Sequence, residues 1–251
     1  MLKPDLRVDV VIPVYNEERA LPGSIAELHA FLGAHLPVRW RIVIADNASI
    51  DATPEVGRAL AAQYDRVEYL RLEQKGRGRA LRRAWSQSDA DIVSYMDVDL
   101  STNLDAFVPL VSAIADGRCD VAIGSRLMRG ARVTRQWKRE LISRGYNLLI
   151  RLFFPRRTFA DAQCGFKAVS RRAVDTLLPL VENNHWFFDS ELLLRALQKG
   201  YRVAEVPVAW IEDLDTRVKI AKTALEDVEG LIRVRLSSPP TAFRPIQPPQ
   251  P

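Results

Sequence analysis

Short apolar runs rich in Val and Ile alternate with amphipathic stretches through the first half of the chain, a pattern that predicts βα units around a mostly parallel sheet. Strands are expected at Val8–Val14, Arg41–Ala45, Val67–Leu72, Ile92–Met96 and Val121–Gly124. Helices are expected near Leu21–Leu32, Pro54–Tyr64, Gly78–Trp85 and Leu104–Ala115. The second half is less regular. It predicts a helix over Arg135–Leu152, a strand near Phe166–Val169, helices near Arg171–Leu178 and Ser190–Lys199, and a strand over Arg202–Val208. From Val218 to Leu236 apolar residues recur at 218, 221, 225, 228, 232 and 236, a helical period with one apolar face. No segment repeats. The expected organisation is one α/β domain over residues 1–236, its central sheet flanked by helices, followed by a proline-rich disordered tail at 237–251.

Composition adds limits. At 251 residues, 47% hydrophobic and 27% charged, the chain has the balance of a globular protein with one substantial core. Cys119 and Cys164 are too far apart in sequence to suggest a disulfide framework or a zinc site, which fits a reducing cytosol. The first residues turn acidic too early for a signal peptide. The apolar stretch Leu148–Phe154 is broken by Arg151 and falls short of the roughly 20 residues of a spanning helix. Charge is distributed unevenly: ten Lys and Arg fall between Arg126 and Arg157 against Glu140 alone, so the +5 of the whole chain sits in this block. Residues 130–157 thus read as a basic amphipathic segment facing an anionic partner, whether phosphate, lipid headgroup or nucleic acid.

Ligands of open α/β sheets sit beyond the carboxyl ends of the strands, and the polar clusters of this chain fall there. Pro13-Val14-Tyr15-Asn16-Glu17 follows the first strand, Asp46-Asn47-Ala48-Ser49 the second, Asp97-Val98-Asp99 the fourth and Gly124-Ser125-Arg126 the fifth. If the fourth strand stays extended, Asp97 and Asp99 point to the same side. Two such carboxylates suit a hard cation, Mg²⁺ or Mn²⁺, bridging a diphosphate, although an Asp-x-Asp alone is equally a solvated loop. Asp46 can accept hydrogen bonds from a base or ribose. Asp51 reads as a turn former before a helix cap at Thr53, and Glu17 as a nucleotide contact or an acid favoured by a helix dipole. Lys75-Gly76-Arg77-Gly78-Arg79 could bring amides and charge to a phosphate or simply begin a helix; it lacks the spacing of a Walker loop.

In order and spacing, Ile12–Glu17, Asp46–Thr53, Lys75–Gly78, Asp97–Ser101, Gly124–Arg126 and Asp161–Lys167 resemble the family-two inverting glycosyltransferases of the Rossmann-like A-type fold. The likeness is strongest to the branch that makes dolichyl- and polyprenyl-phosphate hexoses. The resemblance implies that Pro13, Tyr15, Glu17, Asp46 and Lys75 surround a nucleotide-sugar. It implies that Asp97 and Asp99 hold metal and diphosphate, that Arg126 faces phosphate, that Asp161–Phe166 with Gln163 forms the acceptor side, and that Arg217 lies near the phosphates. The second cluster departs from the usual Asp-Asp-Gly-Ser of that family, reading Asp46-Asn47-Ala48-Ser49.

A hydroxyl acceptor needs a carboxylate base, for which Asp161 or Asp189 is the candidate, whereas a lipid monophosphate is already ionised and needs cations. The expected function is therefore inverting transfer of a hexose, from a donor of the UDP-glucose or GDP-mannose type, to a polyprenyl phosphate. The protein is expected to be peripheral on the cytoplasmic face of the membrane. Arg135, Lys138 and Arg139 would meet the acceptor phosphate or an anionic membrane surface, and a separate membrane protein is a possible partner. A saccharide or small-molecule hydroxyl acceptor is the alternative. A non-catalytic basic protein for membrane or nucleic acid would leave the strand-end acids unexplained, so nucleic acid is not expected as a partner.

Overall fold

The computed structural model describes residues 2–134, 137–211 and 220–237, and it realises the predicted alternation. The strands are β1 (Arg7–Val14), β2 (Arg39–Asn47), β3 (Val67–Leu72), β4 (Ile92–Met96), β5 (Val121–Ser125), β6 (Arg132–Thr134), β7 (Phe166–Ser170), β8 (Val203–Pro207) and β9 (Ala209–Ile211). The helices are α1 (Leu21–His35), α2 (Thr53–Gln63), α3 (Arg77–Gln87), α4 (Phe107–Ala115), α5 (Trp137–Phe153), α6 (Arg171–Leu177), α7 (Phe188–Gln198) and α8 (Ile220–Leu236).

Seven strands form one sheet in the order β3-β2-β1-β4-β7-β5-β8, parallel except for β7. The strands are apolar on both faces because both are covered. Val8, Val10, Ile12 and Val14 of β1 pack into the layer containing α1 and α4. Val11 points into the opposite layer with Trp85 of α3, Phe188 of α7 and Leu231 of α8.

Strand order reverses between β1 and β4, which opens a crevice at their carboxyl ends. The antiparallel β7 lies between β4 and β5, pairing Phe166 with Met96, so its entering end reaches the edge where the parallel strands leave. That brings the segment Asp161–Gly165 to the crevice. Strand β7 was expected as a strand, but its direction is set by long-range pairing that local pattern does not report. The short parallel pair β6–β9 was not expected at all; three-residue strands carry little periodicity.

Two expectations change. Strand β4 ends at Met96 as expected, but the extended course that would set Asp97 and Asp99 on one side gives way to a turn in which Leu100 N donates to Asp97 O (3.2 Å) with Leu100 at φ +47°. On α8 the described part of the predicted apolar stripe faces mostly outward: Leu225, Ile232 and Leu236 are exposed and Val228 is half-buried, while Asp227, Gly230, Leu231 and Val234 are buried. Val218 and the side chain of Ala221 lie outside the described residues. A Cβ on Gly230 would collide with the Phe187 ring, so the helix approaches through its small residue, and a buried Asp disguises that inner face.

Candidate active site

The edge expected to hold the donor is built from turns. Asn16, Ala48 and Leu100, after β1, β2 and β4, all adopt left-handed backbone, a conformation costly for residues other than glycine and concentrated at functional loops. Cross-braces hold these turns: Asn16 N donates to Ser49 Oγ (3.0 Å), Ile50 N to Asn16 Oδ1 (2.9 Å) and Glu17 N to Thr53 Oγ1 (2.8 Å). Asp51 Oδ1 accepts from Thr53 N at 3.0 Å, the structural part foreseen for it. Pro13, Tyr15 and Glu17 are half-buried along this edge, and Lys75 Nζ sits 3.3 Å from the centre of the Tyr15 ring, a cation–π contact.

Asp46, expected to accept hydrogen bonds from a base or ribose, has its carboxylate engaged within the fold. It is fully buried, and its carboxylate accepts from Ser49 N (2.9 Å), Tyr69 Oη (2.5 Å) and Arg71 Nη1 (2.9 Å), so it braces the edge from inside. The Lys75–Arg79 loop likewise spends its amides internally: Gly76 N donates to Asn47 Oδ1 (2.5 Å) and Arg79 N to Asn184 O (3.1 Å). Its glycines serve packing, since a Cβ on Gly78 would lie 2.6 Å from Phe188 Cβ.

What the loop delivers instead is Arg77, which sequence reasoning passed over in favour of Lys75. Buried Arg77 reaches Asp97 Oδ1 through Nη2 (2.6 Å) and Asp189 Oδ2 through Nη1 (2.5 Å). Lys167 Nζ lies 3.1 Å from Asp189 Oδ1, and Tyr95 Oη donates to the same carboxylate. Burial alone would raise the Asp189 carboxyl, but Lys167 and Arg77 outweigh it and hold it below the usual carboxylate range. Asp97 and Asp99 flank buried Val98, with Asp99 exposed and accepting from Ser101 N (3.0 Å) and Oγ (2.7 Å). A Cβ at Gly165 would strike Asp97 Oδ2, so only glycine at 165 leaves that oxygen its place. Among the described residues no group of three or more metal-ligating side chains forms. The pair Asp97 and Asp99 matches the donor set of a hard cation that takes one or two carboxylates and completes its shell with phosphate oxygens and water.

The segment expected on the acceptor side is organised by Asp161. Arg126 grips it in a fork, Nε to Oδ2 at 2.7 Å and Nη2 to Oδ1 at 2.8 Å, and Arg126 N adds a third bond at 3.1 Å. Arg126 also lies 5.5 Å from the Trp210 ring of β9. Burial opposes ionisation of Asp161, and the charge and hydrogen bonds of Arg126 reverse that, keeping the carboxyl below its ordinary value. Gln163 N donates to Asp161 Oδ1 (3.3 Å), and its side-chain Nε2 donates to Asp227 Oδ2 on α8 (3.2 Å). Asp97 N donates to Gly165 O (3.2 Å), which ties donor and acceptor segments together.

Of the basic segment, Arg144 and Arg151 lie exposed on α5 beside exposed Leu148 and Leu152, whereas Ile150 and Phe154 belong to the core. Phe153 is partly buried against the same core. Arg135 and Arg217 lie outside the described residues, as do the side chains of Lys138 and Arg139 and the tail after Ser237. No helix of the described residues is long and apolar enough to cross a membrane.

Comparison with known proteins agrees with this geometry. The chain is 40% identical over 222 residues to glycosyltransferase AglD of Haloferax volcanii, covering 88% of this chain but 35% of that protein. It is 32% identical to the dolichyl-phosphate beta-glucosyltransferase of Drosophila melanogaster, covering 83% of this chain and 68% of the relative. In fold it matches the glucosyl-3-phosphoglycerate synthase of Mycobacterium tuberculosis solved with Mn²⁺, UDP-glucose and phosphoglyceric acid. That match has a TM-score of 0.70 and 18% identity, over 94% of this chain and 82% of that one. The family model for glycosyl transferase family 2 matches residues 9–178, which contain the strand-end acids and the Arg126–Asp161 pair; the chain belongs to that family and is a glycosyltransferase.

Proposed function

We propose that the protein transfers a hexose from a nucleotide-diphosphate sugar, of the UDP-glucose or GDP-mannose type, to a polyprenyl or dolichyl phosphate. One observation carries the choice of acceptor. Asp161 and Asp189, the two carboxylates offered by the sequence as bases, are both buried in ion pairs and held below the usual carboxylate range. A general base works best with a pKa near the operating pH, and these two are displaced the wrong way. A phosphate monoester, with a second pKa of about 6, arrives already ionised and needs no base.

The relatives' names support this acceptor, since they include dolichyl-phosphate beta-glucosyltransferases and a dolichol-phosphate mannosyltransferase. A β-linked product from an α-linked nucleotide-sugar requires inversion, which a single in-line displacement by phosphate oxygen provides. In this reading Pro13, Tyr15, Glu17 and Lys75 line the nucleotide, while Asp46 shapes its edge by holding Arg71 and Tyr69. Asp97 and Asp99 hold Mg²⁺ or Mn²⁺, which supplies charge stabilisation to the departing diphosphate when bound. Arg77 keeps Asp97 oriented, Arg126 and Asp161 fix the acceptor loop, and Arg217 meets phosphate. The basic, partly apolar surface of α5 rests on an anionic cytoplasmic membrane face, either directly or beside a membrane-protein partner.

The test is incubation of purified protein with labelled nucleotide-sugars, divalent metal, and either polyprenyl phosphate or soluble sugar acceptors. A lipid-linked product is expected. Product on soluble hydroxyl acceptors alone overturns the phosphate reading.

A further inference from the structure

Seven carboxylates of the described residues are buried: Asp9, Asp46, Asp120, Asp161, Asp189, Glu191 and Asp227. Six of them meet a cation, respectively Arg41, Arg71, Arg172, Arg126, Arg77 with Lys167, and Arg233 with Arg195. Asp227 is the exception. It is 3% exposed, no described cation pairs with it, its Oδ2 accepts only from the neutral amide of Gln163, and its Oδ1 is buried without a partner. A buried charge without a counter-charge is far more costly than a buried neutral acid, which here leaves one hydroxyl, on Oδ1, unpaired.

The Gln163 hydrogen bond favours ionisation, but burial and the negative groups nearby outweigh it. Its own helix presents Glu226, α7 presents the ionised Asp189, and α5 presents Tyr146, whose Oη bonds to Ser190 Oγ at 2.8 Å. Burial first, and Glu226 second, push the Asp227 carboxyl up to about 7. Its position gives this neutrality a use. Gln163 stands two residues from Asp161 and two from Gly165, whose carbonyl accepts from Asp97 N, so the Asp227–Gln163 bond ties α8 to the loop joining both halves of the site.

We propose that Asp227 is a positioning residue of the acceptor side. As a neutral acid it anchors Gln163 to α8, holds residues 161–165 in place, and keeps a negative charge away from an anionic acceptor. The role in acceptor binding rests on the phosphate reading above. Ionisation of Asp227 adds a charge behind that loop, which opposes phosphate binding and weakens the docking of α8.

Asp227→Asn keeps the shape and the acceptor oxygen for Gln163 while removing the proton. The test compares the KM for farnesyl phosphate and the thermal midpoint of wild type and D227N across pH, with donor held saturating. For wild type, KM is expected to rise about tenfold between pH 6 and 8.5, a coupling of ordinary size. D227N should match wild type at pH 6 and show no such rise; comparing the two proteins removes the titration of farnesyl phosphate itself. The folded-state value lies above the unfolded one, so the wild-type midpoint should fall relative to D227N as pH rises from about 4 to 7, and the gap should then stay constant.

Gln163→Ala should raise the acceptor KM at pH 6 and show no alkaline rise. Identical pH profiles for wild type and D227N, or a midpoint gap that ignores pH, overturn the proposal. Loss of kcat in folded D227N at every pH also overturns it, by making Asp227 a base. Absence of farnesyl-phosphate product in all variants sinks the phosphate reading and the acceptor half of this inference, while the midpoint gap still decides the anchor by itself.

Discussion

The edges proposed to take donor and acceptor lie side by side on this sheet but are held by different means. The donor edge is held by neutral groups: left-handed turns after β1, β2 and β4 whose backbone amides bond to uncharged side chains of the neighbouring turn. The acceptor edge is held by a buried ion pair, Arg126 with Asp161, and joins the donor edge through a second, Arg77 with Asp97 and Asp189. A neutral bond to the half-buried amides of Asn16 or Glu17 can be lost at modest cost, because no charge is left behind. Buried ion pairs cannot, since removing one member strands the other's charge.

The largest effect should come from the donor carboxylates. Asp99→Ala is expected to lower turnover by about 10³-fold, with little change in thermal midpoint because Asp99 is exposed. Full turnover in that variant, measured with labelled donor, contradicts the donor-edge assignment. Next comes the test of the comparison itself. Arg126→Ala leaves Asp161 buried and unpaired and should cost about 3–5 kcal/mol, while Ser49→Ala at the donor edge should cost about 1 kcal/mol. Equal losses by denaturant titration would erase the distinction between the edges.

The pH dependence follows from the same pairs. Asp161 and Asp189 sit below their unfolded value of about 3.9, so their contribution is present above that pH and disappears as pH falls through the folded values. Acid unfolding of R126A should accordingly be shallower than that of wild type. Gly165→Ala probes the junction of the edges: by pushing on Asp97 Oδ2 it should reduce kcat about 10²-fold at near-normal stability. The smallest effect concerns Ala48, which adopts φ +62°, a conformation glycine takes without strain. Ala48→Gly should raise stability by about 1 kcal/mol, or about 2–4 °C in thermal midpoint.

This contrast also explains what was legible in sequence. Parallel strands buried on both faces announce themselves as Val/Ile runs, and β3 and β4 fall at their expected bounds. The acids after β1, β2 and β4 were visible because strand ends are where such sheets bind ligands. Asp46 was placed correctly in the fold, but its inward bonding depends on Tyr69 and Arg71 from the neighbouring strand, which no local pattern joins to it. Arg77 was hidden inside a loop read for its glycines, and its partners lie in α7 and after β4. Asp227 was invisible for a further reason: on a helix whose outward face carries Leu225, Ile232 and Leu236, apolar periodicity selects the wrong side.

The antiparallel course of β7 has a mechanical consequence. It is laddered to β4 on one side and β5 on the other, so the loop entering it and the aspartates leaving β4 share one covalent and hydrogen-bonded frame. The two halves of the site cannot hinge apart without tearing the middle of the sheet. Whatever motion admits a bulky substrate and releases a product must therefore belong to the elements that cover this frame, leaving the distance between the reacting partners as a fixed gauge built into the backbone.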